Sequence, residues 1–241
     1  MGFYEEISNY YDYIFPVGKE QMNFIENNIG NQPKKVLDIA CGTGGYSIEL
    51  AKKGYDVTAV DLDFQMIQKI INKADSLELK INVLQGNMLE LKEIANDNYD
   101  LAFCIGNSLV HLNNKEEIEL FLRGIKTLLK KDSKLIIQII NYDRIISQHI
   151  KSLPQIVNTE VGLIFKRLYN YDEYKNKIYF KTILNINGKS IENEIILLPL
   201  LSKDLEEILK LCGFEILEFF GDFRGSKFER EKSLMLVIVA S

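Results

Sequence analysis

The run Val36-Leu37-Asp38-Ile39-Ala40-Cys41-Gly42-Thr43-Gly44-Gly45-Tyr46-Ser47 opens apolar, breaks in glycines, and resumes as Ile48-Glu49-Leu50-Ala51-Lys52-Lys53. That succession reads as a buried strand, a tight turn and a helix. A second apolar strand, Tyr55-Asp56-Val57-Thr58-Ala59-Val60-Asp61, follows and ends on an acid. Together they form a βαβ unit, and such a unit leaves a notch of nucleotide size at the carboxyl ends of its strands.

Glycine lacks a side chain, so it adopts positive φ and lets a ligand lie against bare backbone. The helix that follows offers unpaired N–H groups to the same ligand. Asp61, 17 residues beyond Gly44, stands at the tip of the second strand, where a carboxylate accepts hydrogen bonds from ribose hydroxyls. An adenosine-type ligand fits. Counted as G-x-G-x-x-G from Gly42, the third glycine is replaced by Ser47, and Asp38 precedes the turn by four residues. An acid so placed repels a pyrophosphate, but it can order the loop or bond the ammonium of an amino-acid moiety.

The pattern D-x-A-C-G-T-G-G, with Asp38 before it and Asp61 after it, resembles motif I of the class I S-adenosylmethionine-dependent methyltransferases. The resemblance implies an α/β fold: a seven-stranded, mostly parallel, doubly wound Rossmann-like sheet, with S-adenosylmethionine as cofactor and S-adenosylhomocysteine as product.

A chain of 241 residues accommodates one such domain with an ample core and an insertion. Twenty-nine basic against 34 acidic residues, a net charge of −5, argue against nucleic-acid or anionic-membrane binding, which a positive face drives. Cys41, Cys104 and Cys212 form no C-x-x-C pair, so neither a disulfide framework nor a zinc site is expected. A reducing cytoplasm is the simplest setting. The start, Met1-Gly2-Phe3-Tyr4-Glu5-Glu6, has no signal-peptide pattern, no stretch reaches the length of a membrane span, and the wealth of Ile, Asn and Lys suggests a bacterial source.

Along the chain, Tyr4, Tyr10, Tyr11, Tyr13 and Phe15 precede a helix-patterned stretch to Ile29, giving an N-terminal helical segment over residues 1–30. These aromatics either pack the helix on the sheet or fold over the cofactor, where a sulfonium is favoured against an aromatic face by about 0.5–2 kcal/mol. Asp63 caps a helix over Phe64 to Ala74, in which Met66 is a core or cofactor residue. A strand from Ile81 to Gln85 ends at Gly86-Asn87-Met88, and another from Tyr99 to Ile105 opens into Gly106-Asn107-Ser108-Leu109-Val110-His111. A helix from Lys115 to about Lys131 and a strand from Lys134 to Ile140 complete a parallel series. Between about 160 and 200 the pattern changes to three antiparallel strands, Leu163 to Tyr169, Lys177 to Asn187 and Ser190 to Leu198, an inserted β roof. A helix to Leu211 and a terminal hairpin, Phe214 to Phe220 with Leu234 to Ala240, end the single domain.

Two short motifs, Cys104-Ile105-Gly106-Asn107-Ser108-Leu109-Val110-His111-Leu112 and Ile140-Asn141-Tyr142-Asp143, look like those of the glycine/sarcosine N-methyltransferase branch. Carried over, the resemblance implies that Tyr11, Tyr13, Asp38, Ala40, Gly42, Gly44, Asp61, Leu62, Met66, Asn87, Met88, Ile105, Gly106 and Asn107 form the cofactor site. Asn87 would meet the adenine amine through its carbonyl. Tyr13 and Asn141 would contact an amine-bearing acceptor such as a glycine-like metabolite, and Arg167 would hold its carboxylate. His111 would take the nucleophile's proton, being near its own pKa at cellular pH, or simply hold its loop. Asp143 has no second acid beside it, so no metal is expected. Cys41 is expected to be buried and inert. Transfer by direct displacement needs mainly approach geometry and a dry pocket, worth roughly 7–11 kcal/mol. A small-molecule O-methyltransferase and a non-catalytic S-adenosylmethionine-binding protein are the alternatives. A dehydrogenase lacks support because the third glycine is missing, and a nucleic-acid methyltransferase because N-P-P-Y and Pro-Cys are absent.

Overall fold

A computed structural model describes residues 7–30, 34–95 and 98–241. Tyr4 and the rest of the segment 1–6 lie outside the described residues. A 3-10 turn, Ser8–Tyr10, leads into α1 (Tyr11–Ile14) and then α2 (Lys19–Ile29). The series β1 (Lys35–Ile39), α3 (Gly45–Lys52), β2 (Asp56–Asp61), α4 (Phe64–Ser76), β3 (Asn82–Gln85), α5 (Leu91–Ile94), β4 (Tyr99–Cys104), α6 (Lys115–Leu128), β5 (Leu129–Ile140) and α7 (Tyr142–Ser147) follows. Four roof strands come next: β6 (Ser152–Asn158), β7 (Leu163–Asp172), β8 (Lys177–Ile186) and β9 (Lys189–Leu197). α8 (Ser202–Leu211) and the hairpin β10 (Leu217–Phe220) and β11 (Met235–Ala240) close the chain.

The seven-stranded sheet has the order β10-β11-β5-β4-β1-β2-β3. β1 to β5 pair in parallel, and β11 runs antiparallel to both neighbours. The strands are apolar on both faces because helices cover both. Leu37, Ala102, Cys104, Ile137 and Ile238 pack beneath α6 and α8, while Val36, Leu101, Phe103, Ile136 and Val237 pack beneath α2. The alternation is the period of two that strand geometry imposes. β1 has β2 on one side and β4 on the other, so the chain reverses its direction of winding there and opens a crevice at the strand ends.

Two elements differ from the sequence reading. The helix before β5 stops at Leu128 because Leu129 turns extended and pairs with Tyr99. The roof has four strands, not three: β6 falls in a stretch read as connector, since Pro154 and a register shift between Leu153 and Ile156 disguise an edge strand. Asn187 and Gly188, both at positive φ, turn β8 into β9. Among the described residues no helix is long and apolar enough to cross a membrane.

Candidate active site

A cavity of about 550 Å³ lies at the carboxyl ends of β1 to β4, at the point of reversal. The size suits a small-molecule ligand. Ala40 and Gly42 form its floor after β1, Asp61 and Leu62 its wall after β2, and Met66 reaches it from α4. Asn87 and Met88 line it after β3, Gly106 and His111 after β4, and Tyr11 comes from above.

The glycine loop is shaped by backbone and by neighbours. Gly42 has φ +55°, which strains any other residue, and a Cβ there would lie 3.1 Å from the Tyr11 ring, so a side chain would push that ring back. Gly44, at φ +74°, does not line the cavity, because its bare backbone faces the side chain of Ile70 on α4. Gly106, at φ +86°, has open space where a Cβ would stand.

Asp61 joins the loop to the β2 end: its Oδ2 accepts from Gly42 N–H at 2.8 Å and its Oδ1 from Asp63 N–H at 2.9 Å. Burial raises its pKa, and those two N–H groups pull against the rise. Asp63 also caps α4, accepting from Gln65 and Met66 N–H. The Asn87 carbonyl oxygen already accepts from Leu89 N–H at 3.0 Å, which leaves one lone pair and its NH₂ group for a ligand.

Asp38 lies behind the cavity, not on it. It is 3% exposed and its Oδ2 accepts from Ser47 Oγ at 2.6 Å, so it orders the loop from beneath and does not reach a ligand ammonium. Burial lifts its pKa to about 7, against the pull of Ser47. Ser47 thus has a use in place of the third glycine. Cys41 is only partly buried, and burial with Asp38 and Asp61 beside it pushes the thiol well up, so it stays protonated.

His111 lines the cavity, but burial drops its pKa to about 4. Contrary to the sequence expectation, it does not titrate near neutrality; it is a neutral and weakly basic imidazole.

Other expected contacts are corrected. Asn141 is 1% exposed; its Nδ2 donates to Arg230 O and Ser233 O, and its Oδ1 accepts from Arg144 N–H. Its amide is consumed by the scaffold and does not line the cavity. Asn107 likewise ties the ends of β4 and β5 together, accepting from Ile140 N–H and donating to the Tyr142 hydroxyl. Ile105 packs into the core on the α2 side, and Tyr13 is 47% exposed away from the cavity. Arg167 is not a cavity residue either; it stands in β7, opposite Thr182 of β8. Asp143 accepts from Ser202 N–H at the start of α8. Among the described residues no cluster of His, Cys, Asp and Glu is placed to hold a metal.

The cavity also takes in Phe64, Ser108, Asn113 and Glu117, which sequence reasoning passed over. Phe64 follows Asp61 closely enough for adjacency to have signalled it. The others arrive because the turn Ser108–His111 folds the chain back over the strand ends, and nothing local announces that.

Residues 36–132 match the family described as methyltransferase domain. A glycine/sarcosine N-methyltransferase of Aphanothece halophytica is 26% identical over 204 residues, covering 83% of this chain and 74% of that one. A putative methyltransferase of Bacillus subtilis (strain 168) is 26% identical over 198 residues, covering 80% and 78%. The crystal structure of an S-adenosylmethionine-dependent methyltransferase from Clostridium acetobutylicum ATCC 824 superposes with a TM-score of 0.83 at 20% identity, over 100% and 99% of the two chains. The structural likeness carries the fold, and the family match over the glycine loop carries the activity. The comparisons support a class I S-adenosylmethionine-dependent methyltransferase, with the methyltransferase domain matched over residues 36–132. It is an enzyme whose methyl donor is S-adenosylmethionine. The cavity offers such a donor a carboxylate at the β2 tip, remaining hydrogen-bonding capacity at Asn87, and glycine backbone, groups that could hold a sugar and a base.

Proposed function

We propose that the protein methylates the amine of a small molecule that also carries a carboxylate, a glycine-like metabolite. The observation that carries this reading is Arg167. Its Nη2 donates to Pro154 O at 2.9 Å, and its buried Nε–H has no hydrogen-bond partner among the described residues. Burial lowers its pKa. A partly buried guanidinium with one buried N–H left unpaired is costly, and an anionic group offsets that cost.

The place of Arg167 supports a role in acceptor binding. It shares the inner face of β7 with Phe165, which packs near Tyr11, and with Tyr169, which joins the core that also holds Val110. Leu198, just after β9, donates to Val110 O at 2.9 Å, so the roof is tied to the turn bearing His111. Tyr11 and His111 both line the cavity, so the two β7 residues that flank Arg167 on its face pack against elements that carry cavity residues. The match to glycine/sarcosine N-methyltransferases agrees with an amine acceptor.

S-adenosylmethionine supplies a methyl group already activated by its sulfonium. The protein's part is to hold and align. Asp61, Gly42 and Asn87 fix the donor, the roof and Tyr11 exclude water, and Arg167 orients the acceptor. His111, neutral and weakly basic, holds the turn beside the reacting groups, so the amine must arrive unprotonated.

The test is methyl transfer from labelled S-adenosylmethionine to glycine, sarcosine, ethanolamine and a catechol. Transfer to the carboxylated amines is expected, and Arg167→Ala should raise their KM roughly 10–100-fold, the loss of a charge-assisted contact. Equal turnover of ethanolamine or the catechol, or an unchanged KM in Arg167→Ala, would overturn the assignment.

A further inference from the structure

The N-terminal segment from Ile7 to Gly18 faces two ways. Its apolar side belongs to the roof: Ile7 and Ile14 are buried with Leu163, Phe165, Leu184 and Ile186, and the Phe15 ring meets Phe165 edge-on at 5.8 Å. Its polar side grips the nucleotide-binding half. Asp12 Oδ1 accepts from Thr43 Oγ1, and Asp12 Oδ2 pairs with Lys73 Nζ of α4 at 2.6 Å. Lys73 also donates to Thr43 O at 3.1 Å, and Lys69 to Asn9 Oδ1 at 2.9 Å.

The order of residues gives these contacts a purpose. Asp12 adjoins Tyr11 and Thr43 adjoins Gly42, so the Asp12–Thr43 bond stands beside the place where the Tyr11 ring covers the Gly42 backbone. Neither Asp12 nor Lys73 lines the cavity, so whatever they do to the donor they do through their neighbours.

We propose that Asp12 is a positioning residue for the methyl-donor site. By joining Thr43 and Lys73 it latches the N-terminal segment, with the roof behind it, onto the glycine loop, so that Tyr11 closes that end of the cavity. The latch is reversible: the Asp12 and Lys73 side chains are 53% and 33% exposed, and ion pairs so open to solvent are individually weak and screened by salt. The attachment to the roof is apolar and persists when the latch breaks. The segment therefore lets go of the glycine loop to admit the donor while staying on the roof, and settles once the donor is bound.

The test uses Asp12→Ala, Lys73→Met and the charge swap Asp12→Lys with Lys73→Glu. S-adenosylhomocysteine binding is read by calorimetry, and amide hydrogen exchange at residues 8–18 reports the segment itself. Asp12→Ala should weaken binding about tenfold. Its melting temperature should stay within about 3 °C of the parent, as for a surface pair. Exchange at Tyr11 to Phe15 should rise, and the swap should recover much of the affinity. Raised salt should weaken binding to the parent more than to Asp12→Ala. Unchanged affinity, unchanged exchange, or a swap no better than the single variants would overturn the latch.

Discussion

Replacing Asp61 with asparagine changes one atom and tests the site at its centre. The carboxylate accepts from Gly42 N–H at 2.8 Å and from Asp63 N–H at 2.9 Å while lining the cavity. An asparagine offers one oxygen and one NH₂, so one of those two backbone donors must face another donor. A hydrogen bond to a charged acceptor contributes about 1.5–3 kcal/mol, so the loop should lose about 2 kcal/mol. For a chain of this size that is a fall of roughly 4–8 °C in melting temperature. The donor's sugar loses an acceptor as well, and the combined cost of about 2–4 kcal/mol should weaken S-adenosylhomocysteine roughly 30- to 1000-fold. Calorimetry measures that affinity at 25 °C, with melting followed in parallel. Asp61→Glu separates charge from position, because it restores the charge one methylene further out. If Asp61→Asn bound the ligand within about threefold of the parent while melting fell, the carboxylate would be a tie for the loop and nothing more.

Two further outcomes follow from side chains whose roles the structure revised. Asn141→Ala should lower the melting temperature by roughly 5–15 °C, because a buried amide with three partners is removed, and leave the acceptor KM within about twofold. A large rise in KM at unchanged stability would return Asn141 to the acceptor. His111 has its pKa held at about 4 by burial, below the unfolded value near 6.5, so its contribution to stability is complete above pH 6.5 and is lost as pH falls towards 4. At pH 5 that loss is about 2 kcal/mol. Urea unfolding at pH 7 and pH 5 should show a shallower acid loss in His111→Gln, and equal slopes would refute the assignment.

Most of the nucleotide-binding half was legible because its signals are local. The apolar run before Gly42, the acid ending β2 and the cap at Asp63 each depend on a few consecutive residues. The parallel order follows once strands and helices alternate. The roof was less legible. Leu163 to Leu198 alternates clearly, but β6 was hidden because Pro154 interrupts it and its pairing with β7 is irregular. The end of α6 was misplaced because helical residues and the start of β5 share a charged stretch, Lys130-Lys131-Asp132, that favours neither.

In the site, the contrast lies between groups that a ligand can reach and groups that the scaffold uses. The order of strand ends together with the family resemblance pointed to Tyr11, Gly42, Asp61, Asn87 and His111 as one place, since strand ends and their loops must converge there. They did not reveal that Asn107 and Asn141 are occupied, because their partners at Ile140, Tyr142, Arg230 and Ser233 depend on how loops distant in sequence meet.

The chain's own order of residues therefore settled the α/β architecture, the glycine-floored notch and the acid beside it, all of which follow from period, turn chemistry and short-range geometry. Tertiary structure alone decided which polar groups remain available, where burial moves the pKa values of Asp38 and His111, and how the N-terminal segment bridges roof and glycine loop. Hydrogen-bond capacity and desolvation are set by everything packed around a group, and that surrounding is assembled from residues far apart in sequence.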